Sequence, residues 1–130
     1  MTILVVDDEA GIRQLLEVFL THHGYSTASV ANGAEALNYL RRSQVLPDMI
    51  LLDMMMPVMG GTDFRLAQLQ DPRIAAVPVV LMSAAAELPE ETSPLQFAAH
   101  LPKPIDFEAL RALVERYCLN AQERASGATQ

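Results

Sequence analysis

Short apolar runs alternate along the chain with stretches in which apolar residues recur every three or four positions. Ile3 to Val6 and Met49 to Leu52 are unbroken apolar runs of strand length. Both stop at carboxylates, Asp7-Asp8-Glu9 after the first and Asp53 after the second. An unbroken run, unlike an alternating one, predicts a strand buried on both faces. Tyr25 to Val30 predicts a weaker second strand. Val77 to Met82, with Pro78 tolerable near its start, predicts a fourth that ends at Ser83. The fifth is very short, His100-Leu101-Pro102-Lys103-Pro104, and two prolines end it.

Between the strands the spacing is helical. Ile12, Leu15, Leu16, Phe19 and Leu20 predict one apolar face of a first helix, with His22 and His23 in its last turn and Gly24 just beyond. Those histidines suit the negative end of a helix better than a ligand set. Asn32-Gly33 opens a second helix, with Ala36, Leu37 and Leu40 inward and Arg41-Arg42 at its end. Thr62 or Asp63 is expected to cap a third, carrying Phe64, Ala67 and Leu69, and Asp71-Pro72 terminates it. Pro89 and Pro94 leave room for a short or irregular fourth helix, from Pro94 or Leu95 to Ala99. A last helix from Asp106 turns Phe107, Leu110, Leu113, Val114, Tyr117 and Cys118 inward. The small, polar residues after it predict a frayed tail over 121–130 behind a domain of 1–120. Five strands alternating with about five helices predict parallel strands, right-handed crossovers and helices on both faces. The fold class is a doubly wound α/β domain.

With 130 residues, half of them apolar, the chain is large enough for one core. Its net charge of −7 weighs against direct nucleic-acid binding, which requires a positive footprint. No apolar run approaches the length of a membrane span, and Met1 to Val6 leads into Asp7-Asp8 without a basic leader, so a cytoplasmic location is expected. A single cysteine, Cys118, cannot form an internal disulfide, in keeping with a reducing compartment.

Parallel strands place their C-terminal ends at one edge of a sheet. Asp7, Asp8, Asp53, Ser83 and Lys103, far apart in the chain, are therefore expected in one pocket. Each alone has a plainer use. Asp7-Asp8-Glu9 and Ser83 could cap helices, Lys103 could be a solvated turn residue, and Pro104 an ordinary helix starter. All of them at matched strand ends point to chemistry. Three neighbouring carboxylates raise one another's pKa, and a hard divalent cation such as Mg²⁺ relieves that repulsion. With the cation held by Asp7, Asp8 or Asp53, one Asp53 oxygen is left as a nucleophile, and carboxylates do form acyl phosphates. A metal, an ammonium and a hydroxyl are what a transferring phosphoryl group requires around its oxygens.

The motifs Val5-Val6-Asp7-Asp8-Glu9, Leu51-Leu52-Asp53-Met54-Met55-Met56-Pro57 with Gly61, Leu81-Met82-Ser83-Ala84 and Leu101-Pro102-Lys103-Pro104 occur in that order. Together they resemble the response-regulator receiver domain, the phospho-acceptor module of two-component signalling, over Thr2 to Leu119. The resemblance implies a flavodoxin-like sheet of order 2-1-3-4-5. It implies that Asp53 accepts a phosphoryl group from a phosphohistidine on a sensor histidine kinase or histidine phosphotransfer protein. Asp8 and Asp53 would ligate Mg²⁺ directly, Asp7 through water, and Met55 through its backbone carbonyl. Ser83 would bond a phosphoryl oxygen, Lys103 would pair with the phosphoryl group or with Asp53, and the Lys103–Pro104 peptide would be cis.

The chain also departs from that family. His100 stands three residues before the lysine, where Tyr or Phe usually swings inward as a switch, and its charge depends on pH. The stretch between Ser83 and Lys103 is short. It belongs to the face of fourth helix, fifth strand and fifth helix on which relatives dimerise or dock an output. An altered face implies an unidentified output protein of its own, with the chain a monomer or a phosphorylation-dependent dimer. Met55 and Ala85 cannot position a hydrolytic water, so slow self-dephosphorylation is expected. The expected function is a stand-alone switching receiver, with no output domain in the chain. A phosphate sink or relay intermediate and a non-switching structural adaptor are the alternatives. A dehalogenase-like phosphatase would carry a second Asp where Met55 stands, which excludes that class.

Overall fold

The computed structural model describes residues 1–85 and 87–128. The elements are β1 (Thr2–Val6), α1 (Ala10–His22), β2 (Ser26–Val30), α2 (Gly33–Arg42), β3 (Met49–Asp53), α3 (Gly61–Leu69), β4 (Val79–Ser83), a 3-10 turn (Glu90–Leu95), β5 (Ala99–Pro102) and α4 (Phe107–Ala128). All strand pairs are parallel and the order is β2-β1-β3-β4-β5, as expected. Every residue of β3 and β4 is buried, which explains why their sequences are apolar without a break.

Side chains alternate across each strand, so one apolar run feeds two cores. Ile3, Val5, Met49, Leu51, Val80 and Met82 pack under Leu16 and Leu20 of α1 and Leu110, Val114 and Cys118 of α4. Leu4, Val6, Ile50, Leu52, Val79 and Leu81 pack on the other face with Ala36, Leu37 and Leu40 of α2 and Phe64 of α3. Asn32 caps α2 by accepting from the Glu35 N–H at 2.9 Å, while Glu35 accepts from the Ala31 N–H at 3.1 Å.

The structure corrects several expectations. Helix 94–99 does not form: Pro94 lies inside the 3-10 turn, Gln96 turns left-handed at φ 52°, and Ala99 already belongs to β5. The 3-10 turn stands where an irregular or shortened fourth helix was expected, beside four α-helices. The cap of α3 is Gly60, with no side-chain bond, and Thr62 and Asp63 lie inside the first turn. Leu15 is 54% exposed, although its spacing put it on the inward face. The helix α4 runs to Ala128, so the backbone is helical through most of the segment expected to fray. Residues 129 and 130 of that segment lie outside the described residues. No helix among the described residues is long and apolar enough to cross a membrane.

Candidate functional site

Asp7 follows β1 directly and is wholly buried. Its N–H donates to the Val30 carbonyl at 3.2 Å, which holds it level with the end of β2. Its Oδ1 accepts from the Glu9 N–H at 2.9 Å, and its carbonyl accepts from Arg13 Nη1 at 2.6 Å. Asp53 is the last residue of β3 and is 5% exposed, whereas Asp8 is open to solvent. One carboxylate oxygen from each of Asp7, Asp8 and Asp53 falls within 4.8 Å of the others. Lys103 reaches in from the end of β5, its Nζ 3.2 Å from Asp53 Oδ1 and 3.4 Å from Asp7 Oδ2. Its backbone N–H donates to the Ser83 carbonyl at 2.7 Å, and its peptide bond to Pro104 is cis.

The electrostatics follow from this crowding. Burial pushes the Asp53 carboxyl above its ordinary value and the charge of Asp7 adds to it; Lys103 and a backbone hydrogen bond from Met55 offset this only in part. Burial alone would lower the Lys103 ammonium, but its bonds and charge interactions with Asp53 and Asp7 outweigh that and raise it. Three carboxylates facing one ammonium leave negative charge unbalanced. The donors are all oxygens, so the cluster fits a hard divalent cation.

Ser83, 5% exposed at the end of β4, has its hydroxyl oxygen occupied by the Ala85 N–H at 3.1 Å. His100 lies in β5 opposite Leu81, and its Nε2 is buried without a hydrogen-bond partner among the described residues. The Met55 side chain is 79% exposed. Thus Asp7, Asp8, Asp53 and Lys103 meet; Ser83 ends the neighbouring strand with its oxygen accepting from its own loop, and His100 belongs to the edge strand. One supporting residue escaped the sequence reading: Arg13, whose spacing from Asp7 gives no motif. In the loop beyond Asp53, Val58 is held at φ 68°, a conformation its β-branched side chain ordinarily avoids. Gly61, part of the recognised motif, has a steric reason: a Cβ there would lie 2.8 Å from the Asp53 carbonyl oxygen and 3.0 Å from the Met54 Cα.

The chain belongs to the response regulator receiver domain family, whose pattern spans residues 3–115. It is 36% identical over 118 residues to sporulation initiation phosphotransferase F of Bacillus subtilis, covering 88% of this chain and 91% of that protein. It is 38% identical over 122 residues to the DNA-binding transcriptional regulator NtrC of Escherichia coli. That likeness takes in 92% of this chain but 25% of the regulator, so the chain spans about a quarter of that relative's length. Among solved structures, the chemotaxis response regulator CheY4 of Vibrio cholerae superposes with a TM-score of 0.81 at 28% identity, over 89% of this chain and 97% of that one. A sensor protein from Polaromonas sp. JS666 gives 0.83 at 29%, over 92% and 96%. Receiver domains are the phospho-acceptors of two-component signalling and work with histidine kinases or phosphotransfer proteins.

Proposed function

We propose that Asp53 is the phospho-acceptor of a receiver that switches its protein contacts. The observation that carries this is a buried strand-end carboxylate whose oxygen lies 3.2 Å from Lys103 Nζ, with the carboxylates of Asp7 and Asp8 beside it. An Asp53 oxygen attacks the phosphorus of a phosphohistidine. The bond from phosphorus to the imidazole nitrogen breaks, its electron pair returns to the ring, and an aspartyl phosphate remains. Lys103 pairs with the phosphoryl oxygens as they leave the donor. Ser83 gives up the Ala85 N–H and turns its hydroxyl toward the new phosphoryl group. Asp8 and Asp53 would hold Mg²⁺ directly, with Asp7 acting through water and Met55 through its carbonyl. Bound there, the ion would offset charge on the carboxylates and on the phosphoryl oxygens.

His100 is the second switch residue in this reading, because an unpartnered buried ring nitrogen gains from any movement that offers it a partner. The face made by the 3-10 turn, β5 and α4 would bind the output protein, in the cytoplasm, as a monomer or phosphorylation-dependent dimer. A relay role is the second reading, favoured by likeness along nearly its whole length to a protein named as a phosphotransferase. Label on Asp53 that passes onward to a histidine protein would distinguish it.

The test is incubation with acetyl phosphate, with and without Mg²⁺, read by intact mass. Mg²⁺-dependent addition of one phosphoryl group to wild type and none to Asp53→Asn is the expected result. Wild type that stays unlabelled while circular dichroism shows it folded would overturn the proposal.

A further inference from the structure

Arg65, on α3, is 5% exposed, and none of the ion pairs among the described residues includes it. Its Nε donates to the Leu95 carbonyl at 2.8 Å and its Nη2 to the Gln96 carbonyl at 3.1 Å. Its Nη1 donates to Gln68 Oε1 at 2.7 Å, and its Cζ lies 5.9 Å from the Phe97 ring centroid. Gln68 is itself wholly buried, and its Nε2 donates to the Ile74 and Val77 carbonyls at 2.9 and 3.0 Å. A planar fork braced from behind thus grips two consecutive carbonyls where the 3-10 turn ends and Gln96 turns left-handed. Breaking that grip would leave a buried cation with only Gln68 as a hydrogen-bond partner, so the contact is strongly held.

The strand end before that segment is held differently. The Ser83 hydroxyl oxygen accepts the Ala85 N–H, a bond that opens, in the function proposed above, as the hydroxyl turns toward a phosphoryl group on Asp53. We propose that Arg65 is a latch: it holds residues 87–96 against α3 in the unphosphorylated protein and thereby sets how readily Asp53 takes a phosphoryl group. This rests on the roles of Asp53 and Ser83 given above. Contacts made in the resting arrangement and strained or lost in the phosphorylated one oppose phosphorylation by linkage. Weakening the latch therefore favours the phosphorylated form. Arg65 is a positioning residue, remote from the reacting atoms.

Arg65→Met removes the grip while keeping an apolar stem, and Arg65→Lys keeps the charge but cannot span both carbonyls. Hydrogen exchange and labelling by acetyl phosphate with Mg²⁺ are measured on both and on wild type. Exchange within 87–98 is expected to quicken in Arg65→Met and by less in Arg65→Lys, with β1 and α2 unchanged. At a fixed acetyl phosphate concentration the steady ratio of labelled to unlabelled protein is expected to rise roughly fivefold. A merely structural loss would instead speed exchange throughout and leave that ratio unchanged or lower, and that result overturns the latch. So does unaltered exchange within 87–98. If Arg65→Met fails to fold, the same two readouts on Arg65→Lys decide. Wild type that takes no label overturns the acceptor reading and the coupling with it, while exchange within 87–98 still reports on the grip.

Discussion

Burial of Asp53 beside the charge of Asp7 holds its carboxyl above the ordinary aspartate range, against the opposing pull of Lys103. The folded, metal-free protein therefore binds that proton more tightly than the unfolded chain does. The resulting stabilisation is present below the ordinary aspartate pKa and lost as pH rises through the raised folded value. Near neutral pH, in chelator, Asp53→Asn is expected to melt higher than wild type, and the gap should narrow on acidification. Thermal denaturation across pH checks this; a wild type that melts higher at neutral pH would mean that the Lys103 pairing outweighs burial. Cys118 shows the same sign in another range: burial first and the charge of Asp48 second push its thiol from 9.0 to about 11. Stability should fall as pH rises through that interval, and Cys118→Ala should remove the slope in denaturant titrations. The charged residues of the site were legible because carboxylates that end unbroken apolar runs have no plain structural use as a set. Arg65 and Gln68 were not. A cation and an amide three positions apart on a helix look like a solvated face, and only the carbonyls of Leu95 and Gln96 for Arg65, and of Ile74 and Val77 for Gln68, make that face interior.

Periodicity located the helices without fixing how wide each buried stripe is. That is why Leu15 fits the pattern of α1 yet lies open to solvent. The prolines at 89 and 94 signalled an irregular fourth segment, but no local pattern announces the two hydrogen bonds that its end accepts from Arg65. The junction of β3 and α3 was better marked. Gly61 sits where the helix passes close over the strand it follows, and its N–H donates to the Met54 carbonyl at 2.9 Å. Since the atoms that a Cβ would meet are backbone, neither can swing aside. Gly61→Ala should destabilise the protein by about 1–3 kcal/mol in urea unfolding. It should also slow acetyl phosphate labelling, because relief can come only by moving the residue pair that begins with Asp53. Unchanged stability would show that the junction yields.

At the scale of the whole molecule, the order β2-β1-β3-β4-β5 brings every strand's C-terminal end to one rim. The alternation of apolar runs and helical stripes was enough to foresee the shared rim, since it implies parallel strands, whereas the strand order was implied by the family resemblance alone. What it could not convey is how separate the two cores are, one under α1 and α4 and the other under α2 and α3. The pairing of Lys103 with Asp7 joins residues 96 positions apart. During synthesis the three carboxylates leave the ribosome long before the lysine does, and β5 must dock on β4 before the ammonium reaches them. Until then the nascent chain carries its acidic residues without the cation that pairs with them. The charge balance of the rim is thus completed only once the edge strand has docked, so the ion pairs of Lys103 report that the sheet is closed to its last strand.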